Sequence, residues 1–177
     1  MIRLLEENEP KKLKRYDTVK YAGYEWHIVN DPAAGPAILL AKDYDFGSSD
    51  FDDDSDDYKT SKIRKYLESN VLPRLVRRGA KPMPVRMADA GVTDKVWLLS
   101  AEEARDFVSK DIRSFPGYCW WLRSPGYDSR SYEPRAAFVS SAGEICDYGA
   151  VVDDSPNYAV RPAIQVNLKD LQQALGN

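Results

Sequence analysis

The sequence has few of the residues on which common catalytic and metal centres depend. Its 177 residues include one histidine, His27, and two cysteines, Cys119 and Cys146. A multi-histidine zinc or iron site is therefore excluded, and a Ser-His-Asp triad could be built only around His27. Because His27 lies in YEWHIVN, an alternating stretch typical of a strand, we interpret it as a structural histidine. We expect no catalytic residues, no enzyme activity and no cofactor.

Two cysteines are also too few and too far apart in sequence for a metal knuckle. They leave two alternatives, a single disulfide or two free thiols. The sequence shows no secretion signal, so two free thiols are favoured.

Long apolar runs and a strong charge of one sign are missing as well. No run approaches the roughly 20 apolar residues that span a bilayer, and the first 17 residues lack the apolar core of a signal peptide. The formal net charge of -3 disfavours a nucleic-acid partner. We expect a soluble protein with no membrane insertion and leave its location open. Display on a cell or virion surface would need a partner protein.

The length and pattern predict one α+β domain over residues 1–177, with an N-terminal arm at 1–15. The stretches TVKYAGYEWHIVND and AILLAKDYDF are rich in strand formers and flank a Pro- and Gly-containing turn, which predicts a hairpin. An amphipathic helix is expected over 60–72. A strand at 95–99 should lead into a second helix, capped by Ser100 and Glu103 in a capping box.

An acidic loop at 45–58 interrupts the first half of the chain. Eight aspartates fall between Asp43 and Asp57, and their mutual repulsion favours an extended, solvated loop. A calcium loop is the alternative, because aspartates alternate there. It fits less well, since Ser55 stands where glycine is wanted and Ser61 where a bidentate glutamate is wanted.

Residues 117–168 form a strand-rich half with long loops, which we predict to bind the ligand. Arg123 and Arg161 lie within apolar strands, so we expect them to pair with Glu102, Glu103 or loop carbonyls in a structural role. Pro162 should place the last strand at a sheet edge or at a bulge.

The loops of this half combine tyrosines with small polar residues, as antibody paratopes do. Turns are rich in serine and aspartate without any ligand, but that alternative accounts less well for the tyrosines. The predicted ligand-binding residues are Tyr127, Asp128, Ser129, Arg130, Ser131, Tyr132, Ser140, Glu144, Asp147, Tyr148, Asp153, Asp154, Asn157 and Tyr158.

Several motifs in order resemble a bacterial domain family of unknown function. They are WLRSPG at 121–126, AAFV at 136–139, GEI at 143–145 and VRPAI at 160–164, preceded by YKTSKIRKYL and TDKVWLLSAEEA. The resemblance covers roughly 16–168. Tyr58 stands where that family has tryptophan, Ala159 stands where it has glycine, and the aspartate-rich insertion is not typical of it.

That family is similar to C-type-lectin-fold proteins, including the variable proteins of diversity-generating retroelements in phages and gut bacteria. The resemblance implies a C-type-lectin-like fold, with two helices on a mainly antiparallel sheet, that presents hypervariable loops to a ligand. A protein ligand is expected and carbohydrate is the other class. Glu133-Pro134-Arg135 lacks the amide that calcium-dependent lectins use.

Two alternatives remain open. One is an oxidase similar to formylglycine-generating enzymes, which hold copper between close cysteines. The other is a structural subunit of a phage tail or surface assembly.

Overall fold

The computed structural model describes residues 12–127, 132–153 and 157–176. Within them the chain is mixed α+β, with nine strands in antiparallel sheets and four helices, the first of which is continuous through α1, a π-helical segment and α2. The α+β class is confirmed, whereas the expected two helices on one sheet understate the architecture. The elements in chain order are β1 (Thr18–Tyr21), β2 (Tyr24–Ile28), β3 (Ala37–Ala41), α1 (Lys62–Tyr66), a π-helical segment (Leu67–Val71), α2 (Leu72–Arg77), β4 (Val85–Met87), β5 (Val92–Asp94), α3 (Ala101–Phe107), α4 (Lys110–Arg113), β6 (Trp120–Pro125), β7 (Arg135–Val139), β8 (Ile145–Val151), β9 (Ala163–Val166) and α5 (Leu168–Leu175).

The first sheet has the strand order β1-β2-β3-β9. The expected hairpin is the β2–β3 pair. The stretch TVKYAGYEWHIVND forms two strands, β1 and β2, instead of one. The chain reverses between them at Ala22 and Gly23, both with positive φ (51° and 78°). Glycine adopts this conformation freely, which permits the tight turn. β9 begins directly after Pro162 and lies at the end of the strand order, which confirms the expected edge position.

The first helix runs through residues 62–77 as α1, the π-helical segment and α2. Its fully buried residues, Ile63, Leu67, Val71 and Leu75, recur every fourth position. In an α-helix this spacing drifts by about 40° per step, because each residue turns about 100°. A π-helix has a wider turn, so the central segment helps keep all four side chains on the core face.

The second predicted helix is α3, and its predicted cap is confirmed. Ser100 Oγ accepts a hydrogen bond from Glu103 N (3.0 Å), and Glu103 Oε1 accepts one from Ser100 N (2.9 Å). The strand expected at 95–99 is wrong: β5 ends at Asp94, and beyond it only Trp97 makes a bridge, to Ala163. Trp97 is buried beside β9, which explains its strand-like sequence setting.

β4 and β5 form a second, two-stranded sheet, and β6, β7 and β8 form the third. The buried Trp120, Trp121 and Leu122 of β6 join the third sheet to the core. Arg161 is also buried. Its Nε donates to Ala41 O (2.7 Å), and its guanidinium lies between the rings of Phe115 and Trp120 (4.8 and 4.9 Å). This confirms a structural role, with carbonyls as its partners.

Among the described residues, no helix is both long and apolar enough to cross a membrane.

Candidate functional site

Two tyrosines project at the end of the third sheet where β6 finishes and β7 begins. Tyr127 is 79% exposed and Tyr132 is 105% exposed. Both were predicted as ligand-binding residues. The loop between them holds Asp128, Ser129, Arg130 and Ser131, which lie outside the described residues, as does Asp154.

The backbone beneath Tyr127 is fixed by a close crossing of glycines. A Cβ atom on Gly126 would lie 2.7 Å from Tyr148 O. A Cβ atom on Gly149, which has φ +80°, would lie 2.7 Å from Ala136 O. Tyr127 N also donates to Asp147 O (2.8 Å). These contacts hold Tyr127 on a defined backbone, although its ring is in solvent.

β8 bulges beside this crossing. The pairing steps from Ala136 and Ala150 to Phe138 and Cys146, so that two additional residues are accommodated in β8. Within the bulge, Asp147 forms an ion pair with Arg105 (2.7 Å) and Tyr148 is 56% exposed. The bulge therefore turns Tyr148 outward next to Tyr127.

Tyr158 differs from the other three tyrosines because it is only partly exposed. Its ring centroid lies 4.7 Å from that of Trp121 and 4.9 Å from that of Phe138. Phe138 in turn contacts Tyr148 edge-on at 6.1 Å. Tyr158 thus belongs to an aromatic row that supports the surface from below.

Ser140 and Glu144 lie at the opposite end of the sheet. They close the β7–β8 turn, where Ser140 N donates to Glu144 O (2.8 Å) and Glu144 N donates to Ser140 Oγ (3.1 Å). About 13 Å of β7 separates this turn from the end where Tyr132 precedes the strand. Glu144 is also paired with Lys110. The predicted residues therefore do not form one continuous surface.

Asp153 and Asn157 are exposed and flank residues 154–156, which are not described. Val152 N donates to Pro134 O (3.1 Å), which places Asp153 near the start of β7 and hence near Tyr132. Asp153 therefore remains a candidate at the tyrosine end of the sheet, whereas Asn157 adjoins Tyr158, and the next residue, Ala159, pairs with Trp120.

The acidic loop, which sequence reasoning treated separately, lies alongside this surface. Ser49 N donates to Tyr158 O (3.2 Å) and Phe51 N donates to Val152 O (2.9 Å). Asp52 secures the loop to the first helix, because its Oδ1 accepts from Lys62 N and its Oδ2 from Ser55 N (both 3.0 Å). Burial would raise the pKa of Asp52, but the backbone N–H donors outweigh it and hold that pKa below its usual range.

The described aspartates of the acidic loop do not form a cluster that could bind calcium. In the part of the chain that the structure describes, no three His, Cys, Asp or Glu side chains are grouped so as to hold a metal ion. Asp52 and Asp57 instead accept backbone hydrogen bonds within the loop, as turn and cap residues do.

Two concavities of about 380 Å³ each lie between the acidic loop and the two tyrosines. We call them the Tyr132 cavity and the Tyr127 cavity. Asp56 lines both. The other lining residues of the Tyr132 cavity are Asp54, Ser55, Gly126, Tyr132, Glu133, Pro134 and Arg135. Those of the Tyr127 cavity are Asp57, Tyr58, Asp89, Ala90, Arg123, Ser124, Pro125 and Tyr127. No sequence signal placed the acidic loop here, since the contact joins segments about 80 residues apart.

Arg123 forms part of the wall of the Tyr127 cavity and is only 4% exposed. Its predicted contacts with Glu103 and a backbone carbonyl, that of Leu98 (2.8 Å), are confirmed. Its bidentate partner, Asp89, was missed. Hydrogen bonds from Arg123 lower the pKa of Asp89 despite its partial burial. Arg123 is therefore already neutralised within the protein.

Of the two cysteines and His27, Cys146 contacts the surface, because its side chain hydrogen-bonds that of Tyr148. Cys119 and Cys146 are free, which confirms the predicted thiols, and β7 lies between β6, which Cys119 precedes, and Cys146 on β8. His27 lies in the first sheet, with Nδ1 3.4 Å from Thr18 Oγ1. Burial and the positive charge of Arg161 lower the pKa of His27 to about 4. This histidine is therefore neutral at pH 7.

A family model described as a domain of unknown function matches residues 34–168. The chain belongs to the DUF6273 family. This confirms the expected membership of a family of unknown function. The DUF6273 match begins between β2 and β3 and ends at Leu168, so it contains the acidic loop, both cavities and the tyrosines that surround them. No curated protein and no solved structure matches the chain.

Proposed function

We propose that this protein is a ligand-binding module rather than an enzyme, and that its ligand is a protein. The contact surface, here the tyrosine surface, consists of Tyr127, Tyr132 and Tyr148 with the rims of the two cavities. The observation that supports this is that Tyr127 and Tyr132 are 79% and 105% exposed, and that the Gly126–Gly149 crossing fixes the backbone beneath Tyr127. Rigidly based, exposed tyrosines provide large contact areas at low entropic cost.

We further propose that the fold is C-type-lectin-like and that its loops are open to diversification. Two observations support this: the order of the sequence motifs, and the separation of buried from exposed residues in and around the third sheet. Trp120, Trp121 and Arg123 are buried framework residues, whereas Tyr127, Tyr132 and Tyr148 face solvent. Changes at exposed loop positions would leave that framework intact.

The proposal is tested by selecting displayed random peptides against the whole protein. The best binders are then measured against Tyr127→Ala/Tyr132→Ala. The double variant should lose at least about tenfold in affinity, since exposed aromatic residues commonly dominate binding surfaces. The matched control is Tyr16→Ala/Tyr44→Ala, which removes two tyrosines that are 37% and 40% exposed elsewhere. Equal affinity of the two double variants for every selected peptide would contradict the proposal.

A further inference from the structure

Carboxylates dominate the walls of both cavities. Those lining one or the other are Asp54, Asp56, Asp57, Asp89 and Glu133, against two guanidinium groups, those of Arg123 and Arg135. Because Arg123 is already paired with Asp89 and with Glu103, it offers little positive charge to a ligand. The described walls are therefore net negative.

Asp54 and Asp56 are two of the lining carboxylates that a ligand can meet. No described Lys, Arg or His side chain forms an ion pair with either of them. Their neighbour Asp53 differs, because it pairs with Lys62 at 3.6 Å. Asp54 is exposed and Asp56 is partly exposed, so a ligand can reach both.

Each cavity also has a tyrosine at its edge. Tyr132 lines the first cavity and Tyr127 the second, while Asp56 belongs to both. A carboxylate beside an aromatic ring suits a cation, because the ring face and the carboxylate both attract positive charge. Two such cavities side by side offer places for two cationic side chains on one chain.

We propose that the partner presents a segment carrying lysine or arginine side chains, which enter the Tyr132 and Tyr127 cavities and meet Asp54 and Asp56. This rests on the proposed binding function and adds the chemistry of the ligand. The overall charge of -3 has the sign that would favour the approach of such a segment. An acidic segment would instead face the unpaired aspartates.

The test uses a fluorescein-labelled peptide of alternating lysine and glycine and its glutamate counterpart. The lysine peptide should bind the wild-type protein more tightly than the glutamate peptide. The variant Asp54→Asn/Asp56→Asn should weaken the lysine peptide about fivefold or more, as expected for two partly exposed ion pairs. The control Asp53→Asn/Glu68→Asn removes the same charge from residues paired with Lys62 and Arg64 outside the cavities, and should change affinity by less than about twofold.

The outcomes separate this inference from the proposed function. Equal binding of the two peptides, or equal effects of the two double variants, overturns the inference. The proposed function then still stands if selected peptides depend on Tyr127 and Tyr132. Loss of that tyrosine dependence overturns both. Denaturation curves of the two double variants should coincide with that of the wild type, which keeps a folding defect from being read as lost binding.

Discussion

The guanidinium of Arg123 faces the carboxylate of Asp89 through two hydrogen bonds, Nε to Oδ2 and Nη2 to Oδ1, each 2.9 Å long. This pair ties β6 to the turn between β4 and β5, and both residues line the Tyr127 cavity. The same contact therefore stabilises the framework and shapes the surface beside it.

Asp89→Asn should lower the free energy of unfolding by about 1–3 kcal/mol, because it removes the charge that faces a buried guanidinium. Urea denaturation measures the change. Asp106→Asn is the control, since Asp106 is exposed and should shift stability by less than about 0.5 kcal/mol. Equal stability of the two variants would show that the Arg123–Asp89 contact does not hold the framework.

Replacing the tyrosines one at a time should divide them into two groups. Tyr127→Ala and Tyr132→Ala should change the free energy of unfolding by less than about 0.5 kcal/mol, because both rings are in solvent. Tyr158→Ala should cost about 2 kcal/mol, because its ring packs on Trp121 and Phe138. Thermal and urea melts give the comparison. A large loss at Tyr127 or Tyr132 would mean that those rings are part of the core.

Gly149→Ala should be more destabilising than Gly91→Ala. Both glycines have positive φ (80° and 67°), so both substitutions strain the backbone by about 1 kcal/mol. Only at Gly149 would the new Cβ also meet backbone, 2.7 Å from Ala136 O, whereas nothing lies within 4 Å at Gly91. The difference in unfolding free energy measures the close approach. Equal costs would rule out the glycine crossing as a constraint.

His27 should make the protein less stable as the pH falls from 6.5 towards 4. Its pKa in the folded state is about 4, so below pH 6.5 the unfolded chain binds a proton that the folded protein does not, and unfolding is favoured. The loss at pH 5 should be about 1–2 kcal/mol after allowance for partial exposure. Measured at pH 7 and pH 5, His27→Gln should remove this part of the pH dependence. An unchanged dependence in the variant would assign it to the carboxylates instead.

Local features of the fold were predictable from sequence. The Ser100–Glu103 capping box, the amphipathic first helix and the hairpin of β2 and β3 each depend on neighbouring residues, and all three are confirmed. The turn at Ala22 and Gly23 was indicated by a glycine between two alternating stretches. The prediction of one strand across this turn overlooked it.

The predictions that were wrong or incomplete concern contacts between residues far apart in sequence. Trp97 lies in a strand-like stretch, yet its backbone pairs only with Ala163, so the expected strand at 95–99 does not form. Asp89 and Arg123 are 34 residues apart in sequence, and the residues around either one do not indicate that the two side chains pair. The separation of Glu144 from Tyr132 follows from which end of β7 each adjoins, which composition alone does not reveal.

The most direct test of the tyrosine surface is hydrogen–deuterium exchange on the whole protein with and without a selected peptide. Binding should slow exchange at residues 54–58, 123–127 and 132–135, which line the two cavities. Protection confined to the β7–β8 turn at 140–144, or to the cleft between β1 and α5, would contradict the account.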